Sequence, residues 1–179
     1  MKIVFYGGRQ TGVIALLTLL ALDHKVVCVV PVDKPVERVA KSLKMTIKKP
    51  KDINQKSFVN YLKSLKPDLF VCCHGRQILK KDILTIPAIN LHPCLYKYPG
   101  ANPVGKMLKE GNKRASVACH WMTEKVDRGK VIVEKFLEVQ GLSVVEVYNE
   151  LYPLYSEVLI AALEKIKQRK NDVFLPNIY

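Results

Sequence analysis

Short apolar runs alternate along this chain with stretches of three- and four-residue periodicity. KIVFYGG opens with an apolar run closed by Gly7 and Gly8, and residues from about Thr11 to Leu22 then carry helical spacing. KVVCVVPV is rich in β-branched residues, the composition of a strand buried on both faces, and Val36 to Leu43 returns to helical spacing. Met45 to Ile47 predicts a short edge strand. Phe58, Tyr61, Leu62 and Leu65 fall three and four residues apart, which predicts an amphipathic helix over Asn54 to Leu65, broken by Pro67. DLFVCCH is the most apolar strand, and AINLHP follows it after a turn of helix in ILKKDILTIP; the two are expected side by side at the sheet centre. Asn102 to Glu110 predicts a short helix, RASVACHWM and KVIVEKFLEV two later strands, and Val144 to Lys167 a long C-terminal helix. The order of elements is that of an α/β protein, doubly wound around a mostly parallel central sheet.

A chain of 179 residues, 49% hydrophobic, supports one domain with a single sizeable core. We therefore expect one domain over 1–179, with 143–179 a C-terminal helix and tail and no separate C-terminal substrate domain. The apolar run Val13 to Leu22 is too short to span a bilayer and lacks the flanks of a secretory signal, so a cytoplasmic protein with no membrane partner is expected. Cys28, Cys72, Cys73, Cys94 and Cys119 are odd in number and scattered through apolar strands, which predicts buried thiols; no pair has zinc-ligand spacing, and no metal is expected. Leu151, Tyr152, Leu154, Tyr155 and Leu159 are expected to pack internally, with monomer and homodimer both open.

The formal charge of +13 changes the picture, because it points to an anionic partner: a small anionic substrate or a nucleic acid. Lysines cluster in KSLKMTIKKPK and KIKQRK without interleaved aromatics, so a solvated basic face is favoured over a dedicated nucleic-acid site.

The candidate chemistry lies in AINLHP. Asn90 and His92 are two residues apart on an extended strand, so their side chains share one face. An Asn amide offers N–H donors that suit a developing oxyanion, and an imidazole beside it accepts a proton or, once charged, helps to hold that oxyanion. Asp127, in KVDRG, is the candidate carboxylate to orient the imidazole and hold a proton-relaying water. The three roles fit transfer of an activated one-carbon acyl unit between nitrogens through a tetrahedral intermediate. The plainer reading is a turn cap, a core histidine and an Asp-Arg-Gly turn. Gly7-Gly8-x-x-x-Gly12 also stands before a helix, where free N–H groups can hold a phosphate or carboxylate; a simple tight turn is the alternative. It lacks the dinucleotide-binding glycine pattern.

INLHPCLYKYPGANP followed by ASVACHWMTEKVDRGKVIVEK resembles the formyltransferases that use 10-formyltetrahydrofolate, over most of the chain. The resemblance implies a formyltransferase, Rossmann-like fold, 10-formyltetrahydrofolate as formyl donor, and Asn90, His92 and Asp127 as catalytic residues. HGRQILKKDIL resembles the family loop that meets the pterin ring, which implies donor contacts at Arg76, Gln77, Ile78 and Leu79. His120 falls where the family often has a further His or polar residue and is placed with the donor contacts, an ordinary strand residue being the alternative. The first loop faces the acceptor in the family, which implies Gly8 and Arg9 as acceptor contacts. Cys94 replaces the usual Ser and is taken as structural. Tyr96, Lys97 and Tyr98 replace a more usual Leu-Pro-basic pattern, with Tyr98 taken as the acceptor contact.

The first 35 residues are more similar to the methionyl-tRNA and sugar formyltransferase branches than to the glycinamide ribonucleotide branch, whose Gly-Ser-Gly-Ser-Asn loop is missing. The expectation is a small anionic, amine-bearing acceptor, an amino sugar on a nucleotide ahead of a tRNA. A glycinamide ribonucleotide transferase, a 10-formyltetrahydrofolate hydrolase and a non-catalytic RNA-binding relative stay as alternatives.

Overall fold

The computed structural model describes residues 1–172; the end of the expected tail, 173–179, lies outside the described residues. The strands are β1 (Lys2–Gly7), β2 (Lys25–Pro31), β3 (Leu69–Cys73), β4 (Ala88–Pro93), β5 (Arg114–Trp121) and β6 (Val131–Glu138). The helices are α1 (Arg9–Ala21), α2 (Lys34–Ser42), α3 (Lys56–Ser64), α4 (Pro103–Lys109) and α5 (Val144–Asp172), with one 3₁₀ turn at Ile83–Thr85. They form one sheet in the order β2-β1-β3-β4-β5-β6. The first four strands of that order are mutually parallel, and β5 runs antiparallel to both of its neighbours, β4 and β6. The segment expected as an edge strand is reduced to a single bridge, Ile47 to Val29.

Strand alternation divides the core between two faces. Ile3, Phe5, Val29, Leu69, Val71, Ile89 and Leu91 point to one side, where α1, α2, α4 and α5 close over them. Val4, Tyr6, Cys28, Val30, Phe70 and Cys72 point to the other, against Phe58, Val59 and Leu62 of α3 and Ile83 of the 3₁₀ turn. Both faces of β1 and β3 are covered, which is why their sequences are apolar nearly throughout. Leu151, Tyr155 and Leu159 of α5 are fully buried within this core, as expected of internal packing. No described helix is long and apolar enough to cross a membrane.

Chain direction fixes where ligands can bind. From β1 the chain passes through α1 to β2 on one side, then returns to β3 on the other, so the order reverses beside the carboxyl ends of β1 and β3. At such a reversal the following loops splay apart and leave a crevice. The loops after β1, β3 and β4 contribute Arg9, His74 and Gly100 to one cleft of about 670 Å³.

Candidate active site

β4 and β5 bring the central residues together. The antiparallel register sets Asn90 directly opposite His120, and the Nδ2 of Asn90 lies 3.3 Å from the Nε2 of His120. His92, two residues on, shares the face of Asn90. The chain between β5 and β6 then folds back and delivers Asp127 in the left-handed region, at φ 53°. Its Oδ2 accepts the Gly100 backbone N–H at 2.8 Å and stands 3.2 Å from the Nε2 of His92; its Oδ1 lies 3.6 Å from the Nε2 of His120. One carboxylate thus ties two histidines and the loop after β4 into one cluster. Asn90 and His92 do not touch each other directly; His120 and Asp127 link them.

Burial of Asp127 on its own raises its pKa. Hydrogen bonds from His120 and His92, the charge on His92 and the Gly100 N–H outweigh that and hold the carboxyl well below the ordinary range. The Nδ1 of His92 donates to the Pro93 carbonyl at 2.8 Å, and its Nε2 is shared between Asp127 and the Gly100 carbonyl at 3.1 Å. Every partner of the His92 ring is therefore an acceptor, and both nitrogens are satisfied when both carry hydrogen. The loop that carries Asp127 is held tightly: Trp121 donates to Lys130, Met122 donates to Ala88, and a Cβ added to Gly129 would meet the Trp121 carbonyl. The register shifts between Cys119 and His120, where β6 carries Ile132 as an extra residue opposite them.

On one side of the cluster the cleft is lined by Arg76, Ile78, Leu79, Met122, Thr123 and Val126. Tyr6 fixes this loop, its hydroxyl accepting the N–H groups of Arg76 and Gln77, both at 2.8 Å. Ile78 is 62% exposed, an apolar side chain standing open to the cleft, and fits the face of a flat heterocycle. Gln77 is otherwise engaged: its amide bonds the Ile53 N–H and the Lys51 carbonyl, so this side chain braces the loop.

On the other side lie Arg9, His74, Asn102, Val144 and Tyr148. His74 follows β3 at φ 57°, with its Nε2 3.3 Å from the buried Tyr155 hydroxyl and its ring beside Tyr148. Burial, then Arg9 and His92, push its pKa down to about 4 against a small opposing pull from Asp33, so it is neutral. Neither His74 nor Tyr148 was singled out from the sequence. His74 stands in HGRQIL directly before the residues that were, and Tyr148 is one helical turn from Leu151 and two from Tyr155.

Two expectations require correction, those at Tyr98 and Gly8. Tyr98 is not a cleft residue: its ring is buried in the core, and its hydroxyl donates to Glu110 at 2.9 Å. The strand ends at Pro93, and a turn that starts at Cys94, φ 52°, and is closed by the Tyr98 N–H on the Cys94 carbonyl at 2.9 Å carries Tyr98 inward. His120 lines the cleft and faces Asn90 and Asp127 within the polar cluster. Gly8 does not line the cleft, and its N–H is given to the Cys73 carbonyl at 3.0 Å. Cys94 is fully buried with its Sγ against the Met107 sulfur, and burial raises the thiol to about 11, so it stays protonated.

Known proteins share this arrangement of sequence and fold. The methionyl-tRNA formyltransferase of Methylacidiphilum infernorum (isolate V4) is 32% identical across 95% of this chain and 59% of its own length. The bifunctional polymyxin resistance protein ArnA of Wigglesworthia glossinidia brevipalpis is 34% identical across 78% of this chain and 24% of its own length. The chain thus spans less than two thirds of either relative. The crystal structure of phosphoribosylglycinamide formyltransferase from Bacillus halodurans superposes with a TM-score of 0.81 at 17% identity, covering 98% of this chain and 100% of that one, which shows the fold. Residues 11–163 match the family described as Formyl transferase, a stretch that holds the Asn90, His92, His120 and Asp127 cluster and most of its supports; this chain belongs to the formyl transferase family.

Proposed function

We propose that this domain moves the formyl group of 10-formyltetrahydrofolate to a primary amine. The observation that carries the reading is the bonding of His92 to an ionised Asp127 at the carboxyl end of β4, with the Asn90 amide alongside in the same cleft. The apolar wall of Ile78, Leu79, Met122 and Val126 suits a flat pterin, with backbone groups of Arg76 to Leu79 at its edge. Donor turnover with loss of formyl transfer on mutation of the cluster is what this predicts.

The acceptor nitrogen, uncharged, forms its bond to the formyl carbon, and the carbonyl electrons move to oxygen. Asn90 donates an amide hydrogen to that oxygen. The Nε2–H of His92, held loosely between Gly100 and Asp127, turns to the same oxygen. Asp127 stabilises the charged imidazole as it does so. As the tetrahedral centre collapses, the bond to the donor nitrogen breaks; the acceptor amine releases a proton and the leaving nitrogen takes one up, relayed by water at Asp127.

The acceptor is an amine on an anionic carrier, in keeping with the charge of +13. The names borne by relatives support an aminoacyl-tRNA more than the nucleotide-linked amino sugar expected from sequence. Incubation with 10-formyltetrahydrofolate and, in separate wells, aminoacylated tRNA, amino-sugar nucleotides, glycinamide ribonucleotide and no acceptor distinguishes them by tetrahydrofolate release. Release only with an amine supports transfer; release without one identifies a hydrolase; none in any well overturns the reading.

A further inference from the structure

The glycine turn before α1 raised the question of what sits at that helix end, and the structure answers it with a residue of the chain itself. Gly8 is the N-cap of α1 and has no side chain to offer, and the first turn of α1 contains no acid. The Oδ2 of Asp33 fills that place, accepting the Arg9 backbone N–H at 2.7 Å. It approaches so closely that a Cβ on Gly8 would lie 2.8 Å from that oxygen.

Three local preferences are broken to keep it there. Asp33 is itself the N-cap of α2, the position at which its carboxylate ordinarily bonds its own helix, yet it makes no such bond. Its other oxygen, Oδ1, is buried with no hydrogen-bond partner among the described residues. Arg9 is held in the left-handed region at φ 60°, unusual for a long side chain. Together they anchor a negative charge beside the wall of the cleft formed by Arg9. A helix start without such a carboxylate is a ready seat for a phosphate.

We propose that Asp33 is a specificity-determining residue: it occupies the anion position at the start of α1 from within the chain, and so rejects acceptors that would bring a terminal phosphate monoester there. An acceptor reaching this end of the cleft must instead present hydroxyl or ammonium hydrogens, which a carboxylate attracts, while anionic groups further along it meet the Arg9 side chain. The statement about acceptors rests on the formyl-transfer reading above; the exclusion of phosphate does not.

The test uses inorganic phosphate as probe and needs no catalysis. Backbone amide NMR of the full chain is followed during phosphate titration for wild type, Asp33→Asn and Asp33→Ser. Asp68→Asn makes the same change in net charge at an exposed site, where the carboxylate caps Lys2 at the far end of the sheet. Wild type and Asp68→Asn should show no saturable shift at Arg9, Gln10 and Thr11. Both Asp33 variants should gain one there, with phosphate affinity raised about tenfold or more, as removal of an adjacent like charge implies. Saturable binding to those amides in wild type overturns the proposal. So does the absence of any gain in a folded Asp33 variant, or an equal gain in Asp68→Asn. Failure of formyl transfer in the separate turnover assay leaves these outcomes unaffected.

Discussion

Replacing His74 by Asn should remove a defined part of the protein's acid sensitivity. Asn tolerates the left-handed conformation that residue 74 adopts, so the backbone at φ 57° is kept. In the folded chain His74 titrates at about 4, chiefly because burial penalises the imidazolium; in the unfolded chain it titrates near 6.5. The folded pKa is depressed, so its contribution to stability is fully present above pH 6.5 and is lost as pH falls toward 4, because only the unfolded chain takes up the proton in that window. One pKa unit is worth about 1.36 kcal/mol, which gives a loss of about 3 kcal/mol by about pH 4. His24 is also shifted down by burial and remains in the variant, so the difference between the two proteins isolates His74. Asp127 adds its own loss only below the ordinary carboxylate range. Urea unfolding at several pH values between 7 and 4 should show the stability difference, wild type minus variant, falling by about 3 kcal/mol across that range. A difference that stays flat with pH refutes the neutral, desolvated His74.

Asn90→Ala and Asp127→Asn should each lower formyl transfer by roughly a hundredfold or more, the scale of losing one oxyanion donor or the acid that orients an imidazole; wild-type tetrahydrofolate release by either variant removes that residue from the mechanism. Gly129→Ala places a methyl group against the Trp121 carbonyl, and should destabilise by about 1–3 kcal/mol on thermal or urea unfolding, with turnover falling as the Asp127 loop shifts. Tyr98→Phe loses the bond donated to Glu110 and the one accepted from the Asn112 amide, both away from the cleft, and should leave turnover and acceptor KM unchanged; a raised acceptor KM would return this residue to the cleft.

The fold was legible because most of its elements obey local rules. The β-branched run of β2 and the apolar run of β3 are what strands covered on both faces require, and Phe58 and Leu62 of α3 lie on the buried face that their spacing predicts. Most helix boundaries moved by one or two residues where a polar terminus frays or a proline begins a helix, as at Lys34 and Pro103, and the end of α5 moved by five, from Lys167 to Asp172. The bridge at Ile47 is a case in which a short β-capable segment found one neighbour and no second.

Strand geometry made Asn90 and His92 legible, while Asp127, Arg9 and the Arg76 to Leu79 loop were expected through the family resemblance. Asn90 and His92 could be put on one face because an extended chain has a fixed period of two, and the antiparallel register then made His120 a neighbour that no spacing along the chain encodes. Beyond the strands this rule fails. Arg9, His74, Asn102 and Asp127 all line the cleft, and all four stand at positive φ on non-glycine residues, at values from 53° to 60°. Left-handed residues turn the chain sharply, so each reverses the direction a side chain would take if its strand or loop simply continued. Nothing in residue type announces that turn for Arg, for which the conformation is unfavourable and is maintained by tertiary bonds such as that donated by the Arg9 N–H to Asp33. The same cause sent Tyr98 into the core, because Cys94 also adopts this conformation four residues earlier. The strain is concentrated at Arg9, since His, Asn and Asp adopt this conformation more readily, and together the four turns bring side chains from separate segments into one cleft, the convergence that the proposed formyl transfer uses.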